Sequence, residues 1–488
     1  MLIECEQIRL SEYKNLYDII IDKDNLLRKI KENIDFSFVN PMLKKSYCEK
    51  FGRPAKEPEK MFKQEFLKRL YDLSDEKLIE NVNLHMAFKY FLDMNPEDKA
   101  VDPSLMTKFR KLRVTEDILE EMIRETVRQA IDKGLIKSNS IIVDAMHSQT
   151  SAKSETPTQI LRRMTKDLRR EIYKTQFELS EEFPEKPPET GSLNEEIEYS
   201  KKLIQIVKDR VVKEGAKKTN KLLNEIEELL TNDKIKEIQS IVDEDAKLGY
   251  KSTENIFFGY KTHLAMTEER IITGVEVTTG DAADGEYLQS LVEKSENNGI
   301  NVEEVVGDTA YSGKNNLIYA KEREIKLISK LNPIISNVEK RSEDGFKYNK
   351  DADTYQCPAG FLATRKYKDN RKEGNKNYRM IYYFDIKKCQ QCPHKEGCYK
   401  EGSKFKRYSI AILSDEHKEQ MEFQETDYFK ERARIRYMIE AKNAELKQAH
   451  GLKELDSKGI TAMRTQSFFT AFMVNVKRIV KLMEIKMA

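Results

Sequence analysis

Three acidic residues, far apart in the chain, stand where carboxylates do chemistry. Asp144 closes the apolar run Ile141-Ile-Val-Asp-Ala, and Asp308 closes Val305-Val-Gly-Asp-Thr-Ala-Tyr311. A carboxylate at the carboxyl end of a buried strand is where open α/β sheets place reactive groups, although a capping Asp fits the same position. The third, Glu440, lies in Arg436-Tyr-Met-Ile-Glu-Ala-Lys-Asn443-Ala-Glu-Leu-Lys447, inside a Gly- and Pro-free run from Thr426 to Gly451 that reads as one long helix. At about 100° per residue, Arg436, Glu440, Asn443 and Lys447 fall within roughly 40° of one line, while Ile435, Ile439 and Leu446 form a separate apolar stripe. Taken alone, the polar line is a solvated face with an i,i+4 ion pair worth roughly 0.3–0.5 kcal/mol. Taken with the two aspartates, it presents a third carboxylate between two cations. Three converging carboxylates repel and raise one another's pKa unless hard divalent cations join them.

The elements that must bring these residues together follow the pattern of an α/β fold. The strand ending at Asp144 is followed, after an insertion, by Ile256–Ala265 and Ile271–Thr278, joined through Thr267-Glu-Glu-Arg270 as a hairpin. A helix from Gly285 to Asn297, the strand leading to Asp308, a helix through Lys321 and the short strand Lys326–Lys330 come next. Strand, hairpin, helix, strand, helix, strand is the order of a ribonuclease-H-like core, here expected over residues 136–150, 241–335 and 408–452. Asp243, Asp245, Asp281 and Asp284 compete as candidate carboxylates, but their turn-like contexts suit bonds to local backbone, so they rank below the three. His147 reads as a polar loop residue near the site.

Around this core lie four further segments. Residues 1–135 read as a helical bundle: Pro58 opens one helix, Ser74 caps another, and Asp102-Pro103 opens a third ending in Lys108-Phe-Arg-Lys-Leu-Arg113. That basic end suits either a solvated face or contact with nucleic acid. Residues 151–240 show long charged helical patterns (Leu161, Leu168, Ile172, Leu179, then Leu203, Val207, Val211), read as an inserted helical hairpin with a structural or dimerising role. Residues 336–407 form a Cys-rich insertion in which Cys357, Cys389, Cys392 and Cys398 can close a tetrahedral structural Zn²⁺ site. Reduced cysteines, or His394 in place of one thiol, remain alternatives. Residues 453–488 form a terminal helix bearing Arg464, Lys477, Arg478 and Lys481, expected to dock on the core or follow backbone phosphates.

Composition narrows the class. Of 488 residues, 39% are hydrophobic and 35% charged, no apolar run approaches a membrane span, and Met1-Leu-Ile-Glu-Cys-Glu does not read as an export signal. The expected location is the cytoplasm, with no membrane partner, and six clustered cysteines fit a reducing compartment. The net charge of +2 hides an asymmetry: Cys357–Arg407 carries 14 Lys/Arg against 5 Asp/Glu, and Asp427–Ala488 carries 13 against 7.

The order Asp, Asp, Glu, with Arg436, three residues, Glu440, six residues and Lys447 at its end, resembles the DDE transposases of bacterial insertion sequences. The resemblance is to the eleven-eighty-two type within the group carrying a Tyr-Arg-Glu-Lys signature. Gly52-Arg-Pro and the helices after it, and Asn443-Ala-Glu-Leu-Lys-Gln-Ala-His-Gly-Leu452, are similar to the two ends of these proteins. The signature's Tyr would fall at Ala433, with Tyr428, Phe429 and Tyr437 nearby. The resemblance implies that Asp144, Asp308 and Glu440 are catalytic and hold two Mg²⁺ or Mn²⁺ ions. Arg436, Lys447 and Asn443 would then contact DNA phosphate. It further implies cleavage at element ends, joining of the 3′-OH to target DNA, and a homodimer on paired terminal repeats.

Overall fold

The computed structural model describes residues 11–48, 55–210, 217–231, 235–250, 255–332, 345–349, 352–369, 379–411 and 414–487. Gly52-Arg-Pro54, Val211 and the Met1–Glu6 stretch lie outside them. The main sheet is built around β1 (Ser140–Gln149), whose Ile141, Ile142 and Val143 are fully buried, as a central strand covered on both faces requires. β2 (Lys247–Tyr250), β3 (Ile256–Thr267), β4 (Ile272–Thr279), β5 (Glu304–Val306) and β6 (Lys326–Ile328) complete it in the order β2-β3-β1-β5-β6, with β4 also paired to β3. β3 runs antiparallel to both β1 and β4, whereas β1, β5 and β6 are parallel. β1 runs five residues past Asp144, so His147 is a strand residue, its ring 4.8 Å from that of Phe257, rather than a loop residue.

The apolar core beneath this sheet is continuous with that of the N-terminal helices, from Leu27 to Val480. The 28-residue helix Ile460–Met487 joins them: Phe472 is fully buried edge-on to Phe62 (5.2 Å), Phe66 (6.0 Å) and Phe36 (6.1 Å). On the sheet side, Asn475 accepts from the Ile272 N–H (2.7 Å) and donates to its carbonyl (2.8 Å). This segment therefore docks on the core, and its cations are engaged there. Arg464 pairs with Glu116 (3.1 Å), Lys477 with Glu445 (3.2 Å) and Lys481 with Glu484 (3.3 Å), while Arg478 donates to the Glu269 carbonyl (2.7 Å). Phe472→Ala should cost about 3–5 kcal/mol, because the aromatic box around it cannot collapse to fill the void. A denaturant titration that moved by less than about 1 kcal/mol would contradict this packing.

The 151–240 insertion differs from a hairpin. Its described residues form three α-helices, Pro157–Thr175, Leu193–Arg210 and Lys217–Thr231, the last carrying its own stripe of Leu223, Ile226 and Leu229. They enclose a separate core with Leu161, Leu168, Leu203 and Val207. The Cys-rich segment holds the hairpin β7 (Lys347–Asn349) and β8 (Thr354–Gln356), then a sheet of β9 (Arg365–Asp369), β10 (Arg379–Phe384) and β11 (Lys406–Ala411), packed on Phe346, Tyr382 and Phe384. Among the described residues no helix is long and apolar enough to cross a membrane.

Candidate active site

Register places the first two carboxylates side by side. Ile142 of β1 is level with Val306 of the parallel strand β5, and Asp144 and Asp308 each follow two residues later, Asp144 within β1 and Asp308 just past the end of β5. Asp308 also caps the turn Thr309–Tyr311, accepting from the Ala310 N–H at 2.9 Å, so the capping reading holds for it while it stands beside Asp144. Gly307 permits the turn: a Cβ there would sit 2.8 Å from the Tyr311 ring and 3.0 Å from Val143. Burial, then the Asp308 charge, pushes Asp144 up to about 6, and burial likewise raises Asp308. Arg436 acts on both in the opposite sense.

The helix that carries Glu440, not Glu440 itself, touches this pair. Asn443, one turn further on, donates from Nδ2 to Asp144 Oδ2 at 2.8 Å, while its own Oδ1 is buried without a partner. Residues three apart on a helix have Cβ atoms about 5–6 Å apart, so Glu440 lies one turn from a direct Asp144 contact. Its side chain is about half exposed and paired with Arg436 at 2.5 Å. The expected stripe holds: Ile439 and Leu446 are fully buried and Ile435 packs against the core.

The single long helix does not hold. Helix Asp427–Ala433 passes through a 3-10 turn at Arg434–Arg436 into helix Tyr437–Ala444, then a π turn at Glu445–Ala449. That wide turn holds Lys447, and just past it His450 lies inward, its Nδ1 3.2 Å from the Arg69 carbonyl oxygen. Of the aromatic residues near Ala433, Phe429 is buried. Tyr428 donates to Glu304 (2.6 Å) at the opposite end of β5, and Tyr437 is exposed beside Arg436.

A fourth carboxylate, ranked low from sequence, stands near the pair. Asp284 follows β4 and accepts from Lys261 Nζ at 2.8 Å, and its charge raises both Asp144 and Asp308. The two framing glycines, Gly280 and Gly285, are the local signal that this is more than a loose turn.

Elsewhere, Cys357, Cys389, Cys392, Cys398 and His394 line one cavity. The Cys392 sulfur accepts the His394 N–H at 3.4 Å, and Cys389 is raised first by burial, then by Cys398, Cys357 and Cys392. Four cysteine sulfurs lining one cavity are the donor set that a borderline-soft cation such as Zn²⁺ takes. Asp144, Asp308 and Glu440 supply the hard oxygen donors that Mg²⁺ or Mn²⁺ takes. Among the described residues no group of three or more His, Cys, Asp or Glu side chains already stands in a metal-holding arrangement. At the basic end of helix Pro103–Arg113, Arg110 is drawn into ion pairs with Glu65 and Asp75, and Arg113 lies over the Tyr47 ring. Lys108 and Lys111 are exposed.

Comparison with known proteins defines the class. Residues 14–112 match a family described as a transposase domain, and residues 356–480 match a transposase DDE domain, a stretch that contains Glu440. Both matches are to transposase families, so the two ends of the chain are similar to DDE transposases of the insertion-sequence kind. The chain is also similar to an uncharacterized protein, ORF8 in the nfe locus of Rhizobium meliloti, at 30% identity over 92 residues. That match spans 18% of this chain and 44% of the relative, less than half its length.

Proposed function

We propose that the protein binds the terminal repeats of its insertion sequence, cleaves their phosphodiester bonds and joins the freed 3′-OH ends to target DNA. The observation that carries this reading is the placement of Asp144, within β1, level with Asp308, just past the end of the adjacent parallel strand β5, with the Glu440 helix seated on Asp144 through Asn443. The strand path β4-β3-β1-β5-β6 supports a ribonuclease-H-like core, since it has the connectivity of that fold. Asp144, Asp308 and Glu440 would hold the cations. Two Mg²⁺ or Mn²⁺ ions, when bound, activate the attacking oxygen and stabilise the leaving 3′ oxygen. Arg436, released from Glu440, holds a DNA phosphate in line, and Asn443 fixes the Asp144 carboxylate. Lys447, together with exposed Lys108 and Lys111, contacts the backbone further out. The active form is a dimer on paired ends in the cytoplasm.

The decisive assay incubates the protein with Mg²⁺, labelled element ends and a target plasmid. Joined products are expected. Cleavage without joining would make the protein a metal-dependent nuclease, and binding without cleavage a DNA-binding scaffold.

The Cys-rich module is read as a structural Zn²⁺ site held by Cys357, Cys389, Cys392 and Cys398, with four protein ligands and no open position for chemistry. Cys389→Ser protein should lose one equivalent of zinc by metal analysis, and its module should become protease-sensitive between β8 and β11. Mg²⁺ or Mn²⁺ binding should persist.

A further inference from the structure

The turn after β4 is stitched to the turn that carries Asp308. Asn316 donates to the carbonyls of both Gly285 (2.7 Å) and Tyr311 (3.0 Å). Gly285 is pressed so closely on Ala310 that a Cβ would lie 2.3 Å from its carbonyl oxygen. Asp284 is therefore held beside Asp308, and Lys261, anchored on the Ala282 carbonyl at 2.7 Å, fixes its carboxylate at 2.8 Å. Acidic residues brought together do not by themselves make a site. The second observation is Tyr311: its side chain is fully buried, its hydroxyl has no hydrogen-bond partner, and it lies in the field of Asp144, Asp284 and Asp308. A buried O–H without an acceptor has lost its hydrogen bonds to water with nothing in their place. Among three carboxylates, such a donor suits a centre completed by bound oxygen ligands of a cation.

We propose that Asp284, ion-paired with Lys261 until a cation displaces the ammonium, is a further carboxylate of the cation-binding centre, with the Tyr311 hydroxyl donating to a water or phosphate oxygen held there. This rests on the reading of Asp144 and Asp308 as cation ligands. The chemical class of ligand is a hard divalent cation carrying oxygen ligands.

The test is calorimetric titration of the full chain with Mn²⁺, without DNA, comparing wild type with Asp144→Asn, Asp284→Asn and Asp281→Asn, the last an exposed neighbour in the same turn. Asp284→Asn should weaken Mn²⁺ binding about tenfold to a hundredfold, and Asp281→Asn should not. Weakening by Asp144→Asn but not by Asp284→Asn overturns the proposal and leaves the active-site reading intact. No weakening by Asp144→Asn overturns that reading as well. Should Asp284→Asn fail to fold, Lys261→Met removes the competing ammonium and should tighten Mn²⁺ binding by about threefold or more. Unchanged or weaker binding in that variant overturns the proposal.

Discussion

Asp144→Asn is expected to lower cleavage by about a thousandfold or more and, in the same protein, to raise the melting temperature of the metal-free chain at neutral pH. The two effects share one cause. Burial, and then Asp308, pushes Asp144 up to about 6 from an ordinary value of 3.8, so the folded state holds its proton more tightly than the unfolded chain does. The stabilisation this gives is fully present at acid pH below the unfolded value. It is lost as pH rises to about 6, and at pH 7 the ionised group costs on the order of 2–3 kcal/mol. Asparagine removes the charge while its Oδ1 can still accept from Asn443. Melts at pH 4 and pH 7.5 should show the gain at the higher pH alone. Saturating Mg²⁺ should erase it, by stabilising wild type and not the variant. Below pH 6 the proton competes with the cation, and wild-type Mg²⁺ affinity should fall by up to about tenfold per unit. A variant that is less stable at pH 7.5, or retains a tenth of the activity, would contradict this account.

Glu65→Ala should be the most destabilising single change at a charged residue, at about 3–5 kcal/mol. Glu65 is fully buried in helix Pro58–Leu70 and accepts from Arg69 and from Arg110, each at 2.8 Å. Burial opposes its ionisation, but Arg69, Arg110 and Lys68 outweigh that and hold it below the usual carboxylate range. Removing it strands two guanidinium groups away from water. Arg69 also pairs with Asp456 (2.6 Å), and Lys68 bridges Asp456 (3.3 Å) and Asp75 (2.8 Å), so the loss reaches the segment that follows the Glu440 helix. Loosening at Lys453 and Lys458 should appear as faster tryptic cleavage there. By contrast, Lys430→Ala removes an exposed pair with Glu425 (3.4 Å) and should change stability by less than about 0.5 kcal/mol in the same chemical denaturation assay.

The sequence alone located β1 and β5 and singled out Asp144 and Asp308. Continuous apolar runs of β-branched residues marked the two strands, and the aspartates were chosen from their place after those runs together with the resemblance to a transposase motif. Helical periodicity likewise identified the buried stripe of Ile439 and Leu446, and cysteine spacing gathered Cys357, Cys389, Cys392 and Cys398 into one candidate cluster. These succeed because burial of a single element leaves its period in the chain. Only the tertiary structure decided how separate elements meet. It broke the Thr426–Gly451 run with a 3-10 turn and a π turn, took Arg110 into a buried ion cluster, and set Asp284 beside Asp308 through the contact of Gly285 with Ala310. None of these has a period, because each depends on the close approach of backbone segments distant in sequence. A turn aspartate that bonds only its own loop and one that faces a catalytic pair are written in the same letters.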